Sequence, residues 1–568
     1  MGIRRVVANL FFAGMLLLAL PVRPADTTEE GRALMTELGC ANCHSTLNLR
    51  SSLRERTVDL NAAGLRFNPA YLFQYLQRPA QVRHHLGRAR MPDFRFSEKE
   101  AFALVQFLRT QTNVSGQWPA LPSEITAQLA QPPSHPGRDE FLKTLSGGLL
   151  CLTCHRFEGK GGPIGVELGD IGARLQLTGI KTYLVSPGMF GVPAAAMPPQ
   201  FYNQNGQQFT ELSPEAGRKV QVIADFLFNL AEEKRKQLED QFRRAESKYS
   251  DADASLGQTI FEAENCAACH RHYSITPRTN AAPDLTREWE RVRAPWLISF
   301  LKKTTAIRPF GFHPGDGSRM PDFRLSDEET HNISMALLTN SPSAKSVSVT
   351  NLSAFSRAKG NALLNGKLAC LGCHRFGATG GRIGPDLSIA TNRLQPAYLF
   401  DMIRNPRRMH PDTIMPKLPL SETTIQLIGS FILQEAKESA SSEYLSLVDS
   451  RITHFATPQK TSSGSSNYLR YCAACHGPEG LGNGWNAPFL PVKPTMHANA
   501  NEMTMRPDDT LFDGIHGGGY ILGKSPFMPA FGQTLAPNDI RDLVNHIRTL
   551  CHCRQPPWAS DNSVRSSP

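Results

Sequence analysis

The stretch GGLLCLTCHRFEGKGGPIG runs from Gly147 to Gly165, and GKLACLGCHRFGATGGRIG repeats it from Gly366 to Gly384. Each has Cys-x-x-Cys-His at its centre. Two cysteines at this spacing can form a redox disulfide, supply half of a zinc site, or attach a haem. The His that follows separates these chemistries. In haem attachment the two thiols add across the vinyl groups, and the next His is held beneath the iron. Zinc sites also combine Cys with His, so one copy alone does not decide.

The pattern occurs five times, at Cys40–His44, Cys151–His155, Cys266–His270, Cys370–His374 and Cys472–His476, and takes ten of the twelve cysteines. The copies recur roughly every hundred residues, the signature of tandem units. A zinc site would need a second Cys pair within each unit, and none supplies one. The reading is therefore five covalently bound haem c groups. Their thioethers fall at Cys40 and Cys43, Cys151 and Cys154, Cys266 and Cys269, Cys370 and Cys373, and Cys472 and Cys475. The axial histidines are His44, His155, His270, His374 and His476.

Each copy has the same surroundings. Before it lies Gly-x-x-x-apolar: Gly31/Met35, Gly137/Phe141, Gly257/Phe261, Gly360/Leu364 and Gly464/Tyr468. This spacing puts both residues on one helix face, where Gly admits a close neighbour. After it comes Met-Pro, at Met91, Met197, Met320, Met415 and Met528. Met paired with His is the ligand set typical of cytochromes c, and the thioether raises the reduction potential. In the second unit Met189 competes with Met197, and in the fourth Met409 and His410 compete with Met415. A closing helix follows each Met-Pro. Ser97 with Glu100, and Ser326 with Glu329, have capping-box spacing.

This order of parts resembles the small single-haem cytochrome c domain, five times over. The likeness is fullest in the last unit, through CAACHGPEGLGNG and GKSPFMPAFG. It implies an all-α fold of five small helical domains, each wrapped around one haem, with first and last helices crossing at the Gly. It also implies that a loop carbonyl orients each axial His. Pro283, Pro385 and Pro488 stand where that residue is expected, and Val58 and Val166 stand there in the first two units. RMPDFRFSEKE (Arg90–Glu100) matches RMPDFRLSDEE (Arg319–Glu329), and the two opening stretches match each other, so the array reads A-B-A′-B′-C. The expected domains are 26–116, 137–232, 250–342, 352–437 and 458–553.

Between them, 111–136 reads as an extended surface linker, and 231–250 as a charged helix running into solvent between the two pairs. The stretch 435–466 is polar and mixed, and 554–568 reads as a disordered tail. Cys551 and Cys553 are left over, as a disulfide or as free thiols.

Residues 1–25 read as a secretory signal peptide: Arg4 and Arg5, the apolar run Val6–Leu20, and Ala25 as the cleavage point. Arg23 makes that site imperfect, so an uncleaved anchor holding the chain at a membrane is the alternative. Export to the periplasm is expected. The formal charge of +10 suggests anionic partners, but two propionates on each haem offset it, and no nucleic-acid-binding motif appears.

Three functions fit. The first is an electron carrier between redox proteins, with iron as the working metal and no catalytic residues. The second is the haem subunit of a larger dehydrogenase or oxidoreductase complex. The third is an enzyme with one open iron, which five Met-Pro candidates disfavour. His84, His85 and His313 read as surface residues.

Overall fold

The computed structural model describes residues 27–44, 49, 53–82, 88–114, 121, 123–130, 132–146, 149, 151–187, 197, 201, 212–278, 281–312, 315–339, 347–435, 444 and 463–559. The expected signal peptide, Met189, His84, His85 and His313 lie outside them.

Ser97 and Ser326 each close a capping box, with the Ser hydroxyl accepting from the Glu100 or Glu329 N–H and the Glu side chain accepting from the Ser N–H. Two orphan donors are satisfied at each helix start. The fold is all-α. Its helices of nine residues or more, among the described residues, are α1 (Thr27–Glu37), α2 (Pro69–Gln77), α3 (Glu98–Arg109), α4 (Arg138–Ser146), α5 (Leu177–Val185), α6 (Pro214–Leu230), α7 (Glu232–Lys248) and α8 (Ala254–Ala263). They continue as α9 (Ala294–Lys302), α10 (Asp327–Leu338), α11 (Ala354–Gly366), α12 (Pro396–Arg404), α13 (Glu422–Glu435), α14 (Ser463–Tyr471), α15 (Asp508–Gly517) and α16 (Pro537–Cys551). The named strands are two short hairpins, β1 (Arg156–Phe157) with β2 (Lys160–Gly161) and β3 (Arg375–Phe376) with β4 (Thr379–Gly380). They occupy the same place in the two opening stretches, just after the His.

Helix crossing follows the expected pattern in part of the chain. Helix α4 packs on α6, α11 on α13, and α14 on α16. The other two pairs are exchanged. Helix α1 packs on α10, and α8 packs on α3. A Cβ at Gly31 would overlap the Asn332 carbonyl oxygen, and one at Gly257 the Ala103 carbonyl oxygen. The first helix of unit A thus completes unit A′, and the reverse, which corrects the expectation that each first helix crosses its own last helix. The Gly rule is corrected too. Gly464 also meets backbone, Gly360 meets the Phe431 ring, and Gly137 has nothing within 4 Å of a Cβ.

The exchange is reciprocal along the Met-Pro loops. Asp93 and Asp322 trade both backbone hydrogen bonds at 2.8 Å. The Arg95 guanidinium donates to the Met320 carbonyl and Arg324 to the Met91 carbonyl, each at 2.9 Å. Arg90 pairs with Glu329, and Arg319 with Glu100. Units A and B are stitched by Phe67 against Leu175, and A′ and B′ by Val292 against Leu394.

Two linkers differ from expectation. Helix α7 does not run into solvent. Leu238, Phe242 and Ala245 are buried, and the Phe242 ring packs on Phe73 and Phe102 with centroids 5.7 Å and 5.4 Å away. A stripe at i, i+4 and i+7 carries that face. Within 111–136, Ile125 and Leu129 sit on a short helical turn and are buried against Val185, Leu212 and Val220. The tail starts packed, with Gln555 accepting from the Asp508 N–H at 3.2 Å. Cys551 and Cys553 form a disulfide. No described helix is long and apolar enough to cross a membrane.

Candidate haem-binding sites

Each axial-His candidate is oriented through Nδ1. A carbonyl can only accept, so Nδ1–H is the donor, which fixes the tautomer and leaves the Nε2 lone pair for a metal. His155 donates to Val166 at 2.8 Å and His374 to Pro385 at 2.7 Å, both within their own unit. His44 donates to Pro283 at 2.8 Å, and His270 to Val58 at 3.0 Å, each across the exchanged units. In the last unit the acceptor is Thr495 at 2.9 Å and not Pro488. Burial pushes His44 down to about 4 and lowers His374 and His476 as well, so these rings stay neutral. Burial also pushes the thiols up, Cys40 and Cys472 each to about 12.

The last Gly of each opening stretch now has a reason. A Cβ at Gly165 would lie 2.5 Å from His155 Nδ1, and one at Gly384 would lie 2.6 Å from His374 Nδ1. Only a hydrogen leaves room for the imidazole.

Three motifs share one connected hollow of about 690 Å³, lined by Cys40, Cys151 and Cys266, their histidines, and Met91, Met197 and Met320. Met415 and Met528 follow the other two motifs in the chain. Met528 packs beside Cys472 on the cluster of Tyr468, Ile540 and Leu543. Met415 N–H donates to the Thr413 hydroxyl at 3.2 Å, beside Ile414 on the main core. Its competitor His410 holds Nε2 against the Tyr398 hydroxyl at 2.6 Å.

Motifs also meet in pairs. Asn42 Nδ2 donates to Cys269 Sγ at 3.6 Å, and Asn265 Nδ2 reaches Cys43 Sγ at 3.8 Å. Asn486 Nδ2 bridges the last two motifs, donating to Cys475 Sγ at 3.3 Å and to the Gly372 carbonyl at 2.9 Å.

The donor set fits haem. The wall of the hollow is mostly apolar, as a macrocycle requires. Arg291, Arg308 and Arg393 line it together with Glu288. Burial and mutual repulsion push Arg308 and Arg393 each down to about 10. Such a cluster calls for anions, and haem propionates are anions that a haem would bring there.

Several participants carry no motif that marks them. The Tyr444 hydroxyl accepts from the Met320 N–H at 3.0 Å, and the Arg95 guanidinium lies over its ring. His497 stacks on the His476 ring at 4.1 Å and is held by the Tyr468 hydroxyl at 2.9 Å. The Asn-to-sulfur contacts belong here also. Among the described residues no cluster of three or more His, Cys, Asp or Glu forms a separate metal site.

Residues 459–547 match the family model described as cytochrome c oxidase, cbb3-type, subunit III. The match spans the motif at Cys472 and reaches past Met528 into α16, so the C-terminal end of the chain is a cytochrome c domain. Among solved structures, a chain of a reducing HAO-like protein complex of Kuenenia stuttgartiensis is similar at 17% identity, over 32% of this chain and 79% of that one, with a TM-score of 0.14. Among curated proteins none matches.

Proposed function

We propose that the chain is an exported c-type cytochrome that carries five haems and passes electrons between redox proteins. The observation that carries this reading is the pairing of motifs. Asn42 reaches Cys269 Sγ and Asn265 reaches Cys43 Sγ, Asn486 joins Cys475 Sγ to the Gly372 carbonyl, and the neighbouring Cys269 and Cys475 add to the burial that raises the Cys43 and Cys373 thiols. The hollow brings the motif at Cys151 to the first pair. Haem, when bound, supplies a reversible one-electron couple at each position.

The protein's part is to hold and shield. The cysteines anchor the ring. The carbonyls of Pro283, Val58, Val166, Pro385 and Thr495 fix the imidazoles. Met91, Met197, Met320, Met415 and Met528 would supply the second protein ligand to each iron when haem is bound, and the apolar walls exclude water. An iron held by both a His and a Met would have no place for a substrate, which would separate a carrier from an enzyme. In this reading the chain works in the periplasm, delivered there by residues 1–25.

A second reading, as the haem subunit of a larger oxidoreductase complex, is favoured by one feature. Met505, Tyr520 and Ile521 of the C-terminal domain are exposed apolar side chains. A resident partner would cover them and would co-purify.

The test is near-infrared magnetic circular dichroism of the ferric protein, calibrated against total haem. Five low-spin His/Met haems are expected. A high-spin iron, or fewer than five haems per chain, would overturn the reading.

A further inference from the structure

We infer that two of the axial methionines are exchanged between units: Met320 serves the haem held by Cys40, Cys43 and His44, and Met91 serves the haem held by Cys266, Cys269 and His270. This rests on the haem reading above and asks which parts of the chain build each site.

Three independent features point the same way. The first is helix crossing. In this fold the Met-Pro loop runs straight into the helix that crosses the first helix. Helix α1 crosses α10, which follows Met320, and α8 crosses α3, which follows Met91. The second is the orienting carbonyl. His44 donates to Pro283 of unit A′, and His270 to Val58 of unit A. The third is side-chain packing. Leu34 and Met35 of α1, with Leu38 just beyond it, share a cluster with Leu297, Leu325 and Ile333, and Cys40 and Met320 both pack against it. Met91 packs instead on the core that holds Ile260 and Phe261, against which Cys266 packs as well.

The reciprocal contacts hold the exchange in place. Arg95 grips the Met320 carbonyl and Arg324 the Met91 carbonyl, so each loop is clamped by its counterpart. Each haem of this pair is then enclosed by two stretches of chain more than two hundred residues apart, as the separation of 239 between His44 and Pro283 illustrates.

The experiment uses the full-length holoprotein with one haem deleted at a time. On the C40S/C43S background, Met320→Ala should leave the His/Met near-infrared signal unchanged, because the haem it serves is gone. Met91→Ala on that background should remove one further haem's share. On the C266S/C269S background the two results should trade places. The opposite pattern, with Met91 silent in C40S/C43S, would overturn the exchange while leaving five His/Met haems intact. Equal losses on both backgrounds would overturn it as well.

A second measurement needs no haem deletion. In the reduced wild-type protein labelled with [13C-methyl]methionine, the Met320 methyl resonance is assigned by Met320→Leu. It should show nuclear Overhauser contacts to the haem whose thioethers come from Cys40 and Cys43. Contacts to the haem on Cys266 and Cys269 would refute the exchange. A Met320 methyl with no haem contact would refute both the exchange and its role as a ligand.

Discussion

Replacing Gly31 by Ala tests the exchanged helices directly. The new Cβ would overlap the Asn332 carbonyl and stand 2.8 Å from Ala336 Cβ, where an ordinary carbon–carbon contact begins near 3.5 Å. Helices α1 and α10 must part by roughly 1 Å, and overpacking of this kind costs about 1–3 kcal/mol. Ala in a helix returns about 0.5–1 kcal/mol relative to Gly. The net loss is about 1–2 kcal/mol, or roughly a tenfold rise in local opening. A chain of this size does not unfold as one unit, so the assay is hydrogen exchange resolved by peptide. Exchange should quicken in 27–37 and 327–338 and stay unchanged in 98–109. Gly257→Ala, with its Cβ 2.7 Å from Phe107 Cβ, should do the reverse, quickening 254–263 and 98–109. Gly137→Ala, with open space at its Cβ, is the neutral control. If Gly31→Ala loosened 98–109 and spared 327–338, the exchanged pairing would be wrong.

Other consequences follow from buried charge and from the glycines at the histidines. Lys181 and Asp225 form a buried pair at 3.1 Å, and Asp225 also accepts from the Ser134 N–H at 2.7 Å. Asp225→Ala should destabilise α5 and α6 by about 3–5 kcal/mol in exchange experiments, and K181M/D225L should cost less than the two single changes together. Burial pushes Glu264 up to about 8 despite Arg319 beside it. A carboxyl raised in the folded state binds a proton that the unfolded chain releases near its ordinary value of about 4.3. Its contribution to stability is therefore full below that value and fades as pH rises through about 8, with a slope of at most about 1.4 kcal/mol per pH unit. Glu264→Gln should flatten that slope in peptide-resolved hydrogen exchange of 254–263, corrected for the intrinsic pH dependence of exchange, between about pH 5 and about pH 8; parallel wild-type and variant profiles would show Glu264 ionised throughout. Gly384→Ala should displace the His374 ring and shift the potential of one haem, read by redox titration, with Gly366→Ala as a control in open space.

Much of this was legible in the chain because the chemistry is local. Five Cys-x-x-Cys-His motifs are complete within five residues, and the boxes at Ser97 and Ser326 within four. Gly165 and Gly384 were visible as repeated letters, though their contact with the imidazole was not. The exchange of α1 and α8 was hidden for a definite reason. Units A and A′ carry the same order of parts, a Gly in each first helix and a Met-Pro loop before each last helix, so the periodic pattern reads the same in either pairing. Charge masked α7: AEEKRKQLEDQFRRAESK is dense in ions, and only Leu238, Phe242 and Ala245 mark its buried face. Tyr444 and His497 were out of reach, since a single Tyr or His has no spacing to announce its partner.

The interlocked pair also has a consequence for how the protein is made. The Gly31 helix waits for residue 332, and the His44 ring for residue 283. Contacts of such long sequence separation form late, because the intervening loop must close first. As the chain emerges, the first Cys-x-x-Cys-His therefore stands in an incomplete pocket until more than half of the polypeptide has followed it. In the proposed reading, attachment chemistry at Cys40 and Cys43 would meet an open segment, and the pocket would close over it afterwards. Neither unit A nor unit A′ keeps its helix crossing without the other, so the two stand or fall as one architectural piece.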